Sequence, residues 1–460
     1  MDNPSNKQFA YKIVYRRIHS AILEGVLKPG ERVPSARALA KEMGLSRGSI
    51  EEGYALLKSE GLIEAMGQAG TRVSKNLIEQ PKPSLKEVTV RQPGFSLDLQ
   101  STDILPFQLG IPALDAFPFK TWARMAARNA RNTELDNLTY PSVYGLPKLR
   151  LAISQYLNLY RGVQCHPRQV FITSGYVNSI KWITKVLLSP KDKVGVEDPG
   201  YPLTKLVLEN EYLTPSFLPV DSYGVNIPQD SEIKAIVVTP AHQSPTCVSL
   251  SLQRRQMLLD WATGNDSWII EDDYDGEYRH TGLPLPALKS LDTKDRVIYS
   301  GTFSKVLFPN LRTAYIVVPQ NLVSSFEQLS ELYAGNVSGL TQLCILNFMQ
   351  EGHFSRHIQR MRKLYRSRRE FAAKIFSDYL GDEVSIEPQP GGMHMILKFN
   401  DPNINDVEVA NRLLENGLYS QALSQWMVKK AHPSLIVSFT NIKTEEECRK
   451  LALRLKALLK

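Results

Sequence analysis

The chain has 460 residues, a formal net charge of +8 and 43% hydrophobic residues. One hydrophobic core rarely serves this length, so we expect two or three domains. The cysteines, Cys165, Cys247, Cys344 and Cys448, form no C-x-x-C pair, which argues against a metal site or a disulfide framework and predicts reduced thiols in a cytoplasmic protein. The sequence shows neither an apolar signal segment nor an apolar run of membrane-spanning length, so no membrane association is expected.

Positive charge is concentrated near the N-terminus. Residues 1–75 hold 12 Lys and Arg against 8 Asp and Glu, whereas the rest of the chain holds 43 against 39. A basic head on a near-neutral body favours nucleic-acid binding, although an ordinary solvated surface is also consistent with this charge.

The head shows three helical patterns and a hairpin. Apolar residues recur at every fourth position from Val14 to Ile22, which predicts a first helix. Ser35 and Ser46 are placed to cap two further short helices. The Gly-rich run LIEAMGQAGTRV (62–73) predicts a hairpin wing. Together these elements predict an α+β winged helix-turn-helix.

In such a motif the second helix of the pair enters the major groove by its N-terminal residues. Nearby basic side chains then contact phosphates, which position the head without specifying sequence. Each of these arginines is equally consistent with a solvated surface charge. The predicted DNA-binding residues are Arg47, Gly48 and Ser49 at the helix start, Arg32, Arg37 and Arg72 near phosphates, and the capping Ser35 and Ser46.

Beyond the head, prolines among polar residues predict a linker over 76–104. Short β-rich runs then alternate with helical stretches, which predicts an α/β fold with a largely parallel sheet. We expect a head over 7–75, a large domain over 105–345 and a smaller C-terminal α/β subdomain over 346–460. The β-rich runs are QVFIT (169–173), KVGVE (193–197), AIVVT (235–239), SWIIED (267–272), RVIYSG (296–301) and AYIVV (314–318).

The run GTFSK (301–305) is the main chemical signal. A lysine at a strand end, flanked by small hydroxyl residues, suits a Schiff base once its amine is partly desolvated. Thr302 and Ser304 are then placed to bind a phosphate. Taken alone the signal is weak, because most lysines are surface charges.

A carboxylate-rich loop strengthens this interpretation. WIIEDDYDGE (268–277) ends an apolar strand, and Asp272 in it is suited to keep a pyridine nitrogen protonated. Tyr274 is placed to donate to the phenolate oxygen of the same ring. Metal binding is the alternative for an acidic loop of this kind.

Three further segments complete the predicted cofactor site. Ser174 and Gly175 stand between a strand and a helix, where backbone N–H groups bind phosphate. Tyr201 follows another strand and is suited either to stack on the ring or to pack in the core. Arg312 is a candidate phosphate anchor, with a structural ion pair as the alternative.

The segment 27–73 closely resembles the GntR-type winged helix, through its PGxRxPSxRxLA and LSRxxI elements. The body resembles the fold-type-I aminotransferases, and the whole chain resembles the MocR-type branch of the GntR superfamily. The resemblance implies a PLP-dependent transferase-like fold, pyridoxal 5′-phosphate (PLP) as cofactor, promoter DNA as partner and a homodimer. The residue roles it implies are Lys305 as the PLP lysine, Asp272 at the pyridine nitrogen, Tyr274 at O3′, Tyr201 stacking on the ring, Ser174 and Gly175 as phosphate donors and Arg312 as the second anchor.

The sequence departs from the family pattern at three places. Ser142 stands where members carry an aspartate in Y-x-D-P-x-G, and Gln243 to Cys247 lacks the usual aromatic residue and glycine. Ile436 stands where aminotransferases place the arginine that binds a ligand carboxylate. The resemblance therefore predicts cofactor binding without ordinary α-amino acid recognition.

The sequence leaves three functions open. The leading hypothesis is a transcription regulator that senses an amine effector, or PLP itself, through a Lys305 Schiff base. The first alternative is a working PLP-dependent aminotransferase with an appended DNA-binding head. The second is a dimerisation body without cofactor. The arginine-rich stretch RHIQRMRKLYRSRR (356–369) is predicted to be a solvated or dimer-facing helix rather than a second DNA site.

Overall fold

Two compact units make up the chain, Met1–Leu99 and Gln100–Lys460. The structure is a computed structural model, and the predicted linker lies outside its described residues apart from Ile104. The described residues are 7–75, 104–132, 139, 142–279, 285–333, 337–386, 391–429 and 432–459.

The first unit has the predicted winged helix-turn-helix architecture. Its elements are α1 (Lys7–Leu23), α2 (Ala36–Met43), α3 (Arg47–Ser59), β1 (Ile63–Ala65) and β2 (Thr71–Val73). The two strands pair antiparallel, with Ile63 opposite Val73, and form the wing.

Local signals fix the helix ends in this unit. Ser35 Oγ accepts from Ala38 N at 3.2 Å, and Ser46 Oγ accepts from Ser49 N at 3.2 Å. These bonds satisfy backbone donors that a helix start leaves without partners. Gly44 ends α2 with a φ of 64°, a left-handed conformation that glycine adopts without strain.

The second unit is built on an eight-stranded sheet. Its strands are β3 (Val170–Thr173), β4 (Lys193–Asp198), β5 (Thr214–Asp221), β6 (Gly224–Val225), β7 (Ile233–Val238), β8 (Trp268–Asp273), β9 (Val297–Thr302) and β10 (Ala314–Val317). They lie in the order β3-β10-β9-β8-β7-β4-β5-β6. The five strands from β9 to β5 are parallel, whereas β10 runs antiparallel to both of its neighbours. The α/β prediction is confirmed.

Helices cover both faces of this sheet, which is why its strands are apolar on both sides. Val196 and Ile270 pack in the same cluster as Ile183 of α6, while Ile269 packs on the other face with Leu258 of α8. The helices of this part are α4 (Phe119–Arg131), α5 (Pro147–Arg161), α6 (Tyr176–Leu187), α7 (Pro202–Asn210), α8 (Leu252–Gly264), α9 (Val323–Tyr333) and α10 (Gly339–Gln350).

The C-terminal part adds a smaller α/β layer. Its elements are α11 (His353–Leu380), β11 (Val384–Ile386), β12 (His394–Phe399), α12 (Asp406–Glu415), β13 (Gln421–Ala422), β14 (Ser434–Ser438) and α13 (Glu445–Leu459). The strands form an antiparallel sheet in the order β11-β12-β14-β13. Every helix in the described part of the chain is too short or too polar to span a membrane.

The arginine-rich stretch lies in α11, and four of its arginines contact the rest of the body. Arg356 donates to Glu351 O at 2.9 Å, Arg362 donates to Glu277 O, and Arg360 donates to Ala116 O. Arg368 is buried and forms two hydrogen bonds with Asp115, at 2.6 and 3.2 Å. The prediction of a solvated or dimer-facing helix therefore does not describe the buried Arg368, whereas Arg356 and Arg360 are exposed and Arg362 is half-buried.

Candidate functional site

The predicted cofactor residues meet at the carboxyl edge of the large sheet. Asp272 is the penultimate residue of β8, and Lys305 follows β9. Gly175 follows β3, and Tyr201 follows β4. Ligands of open α/β sheets bind at this edge, because the loops that leave neighbouring parallel strands converge there.

Lys305 has an amine suited to nucleophilic attack. Its Nζ donates to Gly110 O at 2.9 Å. Burial lowers the pKa of Lys305, while Asp275 and Asp272 oppose that fall. A lowered pKa increases the share of neutral amine, which is the form that reacts with an aldehyde.

The loop after Lys305 is tied to the rest of the body. Tyr278 Oη donates to the carbonyls of Lys305 and Val306 at 3.4 Å, and His357 Nε2 contacts Val306 O at 3.0 Å. These contacts fix the backbone from which the lysine extends.

Asp272 is a buried carboxyl group in need of a cationic partner. Burial raises its pKa well above the ordinary value, and the charges of Asp273 and Glu197 raise it further. Lys305 opposes that rise. A protonated pyridine nitrogen beside Asp272 would supply the positive charge that stabilises its ionised form.

Tyr274 presents a buried hydroxyl beside the same loop. Among the described residues its Oη has no partner in hydrogen-bond geometry, although the nearby Ser244 hydroxyl opposes the rise in its pKa that burial and Asp275 cause. A buried hydroxyl without a bond is costly, so a ligand acceptor such as the phenolate oxygen of PLP fits here.

The phosphate end of the predicted site combines a helix start with an arginine. Gly175 precedes α6 with a φ of 105°, and a Cβ built there would lie 3.4 Å from Arg312 Nη2. Thr302 Oγ1 accepts from Ser304 N at 3.2 Å, which leaves the hydroxyl proton of Thr302 for a ligand. The backbone N–H of Ser174 instead donates to Asn178 Oδ1 at 3.2 Å, so this donor is already engaged.

Tyr201 lines a cavity together with Asp272. Its ring lies 5.8 Å from that of Tyr176 and 5.7 Å from that of Trp426, measured between centroids. Burial raises the pKa of Tyr201 to about 12. Its neutral ring is therefore one wall of an aromatic pocket beside the carboxylate.

A buried apolar residue occupies the position where aminotransferases place the carboxylate-binding arginine. Ile436 is fully buried in β14, where it pairs with Ile396 and Gln421. Tyr140, which belongs to the other departure from the family pattern, lies outside the described residues.

Sequence reasoning gave no role to several polar groups of this region. Asp275 contacts His242 Nδ1 at 3.0 Å through one oxygen, while its other oxygen is buried without a hydrogen-bond partner in the described chain. Asp275 was inside the carboxylate-rich loop already noted, so its position could have been flagged. Gly110 and Glu197 carried no comparable signal.

The acidic loop does not form a metal centre in the described residues, where no three His, Cys, Asp or Glu side chains are arranged to hold a metal ion. The metal interpretation therefore gains no support from the geometry.

The predicted DNA-binding residues of α3 lie at its exposed start. The Arg47 side chain is 72% exposed and pairs with Glu51 at 2.8 Å. Gly48 is exposed, and Ser49 Oγ lies 2.9 Å from Ser46 Oγ. An ion pair this exposed contributes little, so Arg47 can exchange Glu51 for a nucleic-acid acceptor at low cost.

The other predicted DNA-binding residues differ in their surroundings. Arg37 is exposed on α2, and Ser35 is exposed before it with its Oγ engaged in the helix cap. Arg72 is half-buried, and its Nη1 donates to Gly30 O at 2.8 Å. Arg32 is exposed, although a Cβ on Gly70 would meet its Nε at 2.8 Å.

Comparison with known proteins matches both parts of the chain. Residues 10–73 match bacterial regulatory proteins of the gntR family, and residues 102–455 match aminotransferases of class I and II. The probable rhizopine catabolism regulatory protein MocR of Rhizobium meliloti is 34% identical over 86% of this chain and 82% of its own. The pyridoxine biosynthesis transcriptional regulator PdxR of Corynebacterium glutamicum is 32% identical over 89% of this chain and 87% of its own.

Solved structures agree on the fold of the second unit. Kynurenine aminotransferase of Pyrococcus horikoshii superposes with a TM-score of 0.70 at 24% identity, over 78% of this chain and 91% of its own. The fold and the sheet-edge site define a fusion of a GntR-type DNA-binding domain with a fold-type-I aminotransferase-like domain. The chain belongs to the MocR-type family of transcription regulators within the GntR superfamily.

Proposed function

We propose that this protein is a PLP-dependent transcription regulator that senses an amine effector, or PLP itself, through Lys305. In this proposal it works as a cytoplasmic homodimer on promoter DNA. The observation that carries it is the convergence of a half-buried lysine of lowered pKa, a buried carboxyl group and a buried unpartnered tyrosine hydroxyl at one sheet edge.

The proposed residue roles combine the family resemblance with this geometry. When bound, PLP would supply an aldehyde that reacts with a primary amine with loss of water. Lys305 provides that amine, Asp272 holds the proton of the ring nitrogen, and Tyr274 donates to the phenolate oxygen. Tyr201 covers the ring. The phosphate group is held by Gly175, Arg312 and the hydroxyls of Thr302 and Ser304, with Ser174 contributing after it releases Asn178.

Two observations favour regulation over turnover. Ile436 is buried in the core at the position of the family's carboxylate-binding arginine, so an ordinary amino acid lacks that anchor. The Corynebacterium relative is a regulator of pyridoxine biosynthesis by name, which supports PLP itself as a candidate signal. A working aminotransferase remains the second candidate, because the fold and Lys305 serve that chemistry as well. Assays with a panel of amino donors separate the two, since rapid turnover with any donor would favour the enzyme.

The test of the proposed function is covalent trapping of the cofactor on one lysine. We expect the purified protein to take up PLP and turn yellow, and borohydride reduction to label the peptide that contains Lys305. Lys289 is the matched control, because burial lowers its pKa as well, while its Nζ donates to Val297 O at 2.6 Å. Lys305→Ala should lose the colour and the label. A colourless wild type, or label at Lys289, would refute the proposal.

A further inference from the structure

A second buried carboxyl group lies at the same sheet edge, two strands away from Asp272. Glu197, the penultimate residue of β4, is 8% exposed and lines the same cavity as Asp272 and Tyr201. Its charge acts on Asp272, since it is among the causes that raise the pKa of that residue. None of the residue roles proposed above involves Glu197.

Three donors hold the Glu197 carboxyl in one orientation. Thr239 donates through its backbone N at 3.2 Å and through Oγ1 at 2.5 Å, and Gln243 Nε2 donates at 3.1 Å. Thr239 follows β7, which lies between β4 and β8 in the sheet. These hydrogen bonds therefore hold the Glu197 carboxyl at the end of β7, the strand that lies between Glu197 and Asp272 in the sheet.

Charged and titratable groups from several elements surround Glu197 and Asp272. Asp273 and Asp275 add negative charge around Asp272, while Lys305 is the cation that acts on it. On α6, the pKa of Tyr176 is raised by burial and by both Asp272 and Glu197. On the other side, Arg312 opposes the rise in the pKa of Tyr201 that burial and Asp272 cause. Lys205 also lines the cavity, so charges of both signs surround the two carboxyl groups.

Glu197 and Asp272 are both carboxyl groups whose pKa is raised by burial. Burial raises the pKa of Glu197 to about 7, and the three donors oppose that rise by stabilising its ionised form. An ionised Glu197 adds to the negative charge around Asp272, and nearby negative charge stabilises a cation.

We propose that Glu197 is a positioning residue that acts through Asp272 to hold the proton on the ring nitrogen of PLP. This proposal rests on the proposed function, because it requires PLP in the site. Glu197 itself need not touch the ring, since its effect is transmitted by charge across the cavity wall.

The test is the pH dependence of the visible absorbance of bound PLP. The Glu197→Gln variant should still bind PLP. The pH at the midpoint of its absorbance change should be about one unit lower than in the wild type, because loss of a negative charge makes protonation of a nearby group less favourable. Thr239→Val, which keeps the carboxyl and removes one donor, should shift the midpoint less and in the same direction.

Glu271→Gln is the matched control. Burial also raises the pKa of Glu271 to about 7, but its carboxylate accepts from the amides of Leu288 and Lys289 at 2.7 and 2.8 Å. The midpoint pH of the Glu271→Gln variant should equal that of the wild type.

The outcomes separate this proposal from the proposed function. If PLP binds and the midpoints of Glu197→Gln and wild type coincide, or Glu271→Gln shifts equally, the role of Glu197 is refuted while the cofactor assignment stands. If Glu197→Gln does not fold, an unchanged midpoint in Thr239→Val refutes the role instead. A wild type that takes up no PLP refutes both.

Discussion

The proposed chemistry depends on single side chains at the sheet edge, and burial shifts their pKa values. The same low-dielectric surroundings lower the pKa of Lys305 and raise that of Asp272, because burial disfavours the charged form of either group. In each case an opposite charge nearby opposes the effect. The site therefore holds a lysine of lowered pKa and a carboxyl group of raised pKa that lacks a full counter-charge.

Tyr274→Phe should separate ligand binding from folding. The hydroxyl is buried without a bond in the described residues, so removing it should leave the stability of the PLP-free protein unchanged or slightly higher. With PLP the variant loses a hydrogen bond, and affinity should fall about tenfold. Thermal unfolding without PLP and a PLP titration measure the two effects. Equal affinity in both proteins would remove Tyr274 from the site.

His357 should make the body sensitive to acid. Burial lowers its pKa to about 4, below the ordinary value of 6.5. The unfolded chain therefore binds the proton first, and stability from neutral His357 is present above about pH 6.5 and is lost as pH falls through about 4. Between about pH 7 and pH 5 the wild type should lose about 2 kcal/mol relative to His357→Gln, which keeps a donor for Val306 O. Denaturant unfolding at both pH values checks this, and parallel losses in the two proteins would contradict it.

Helices and strands differ in how far sequence predicts them. Ser35 and Ser46 were identified as caps because capping depends on residues three positions apart. The strands were found because both of their faces are apolar. By contrast, Arg368 pairs with Asp115, 253 residues away, and Lys305 with Gly110, 195 residues away. No local pattern encodes such contacts, so the burial of Arg368 in α11 was not predicted and Glu197 was overlooked.

Ser46→Ala should loosen the start of α3. Loss of the cap costs about 1 kcal/mol, so exchange protection of the first α3 amides in the full chain should fall about fivefold. Ser59→Ala is the control, because the Ser59 hydroxyl donates to Leu56 O at 2.7 Å at the other end of the helix. Its protection should stay within a factor of about two. Equal losses in the two variants would argue against a capping role.

The whole chain joins a DNA-binding unit to a sensor unit, and each can be perturbed separately. Arg47→Ala should weaken promoter binding about tenfold or more while bound PLP keeps its colour. Arg17→Ala is the control, because Arg17 lies on α1 rather than on α3 and forms an exposed ion pair with Glu42 of α2. Wild-type affinity should fall steeply with salt. If Arg17→Ala weakened binding as much as Arg47→Ala, base recognition by α3 would not be supported.

The central claim is that PLP chemistry at Lys305 controls binding of the head to DNA. The most direct measurement is the affinity of wild type and Lys305→Ala for the region upstream of the protein's own gene, with and without PLP and candidate amines. We predict that PLP or an amine changes wild-type affinity and leaves that of Lys305→Ala unchanged. The same response in both proteins, or no response in wild type that has taken up PLP, would contradict the account.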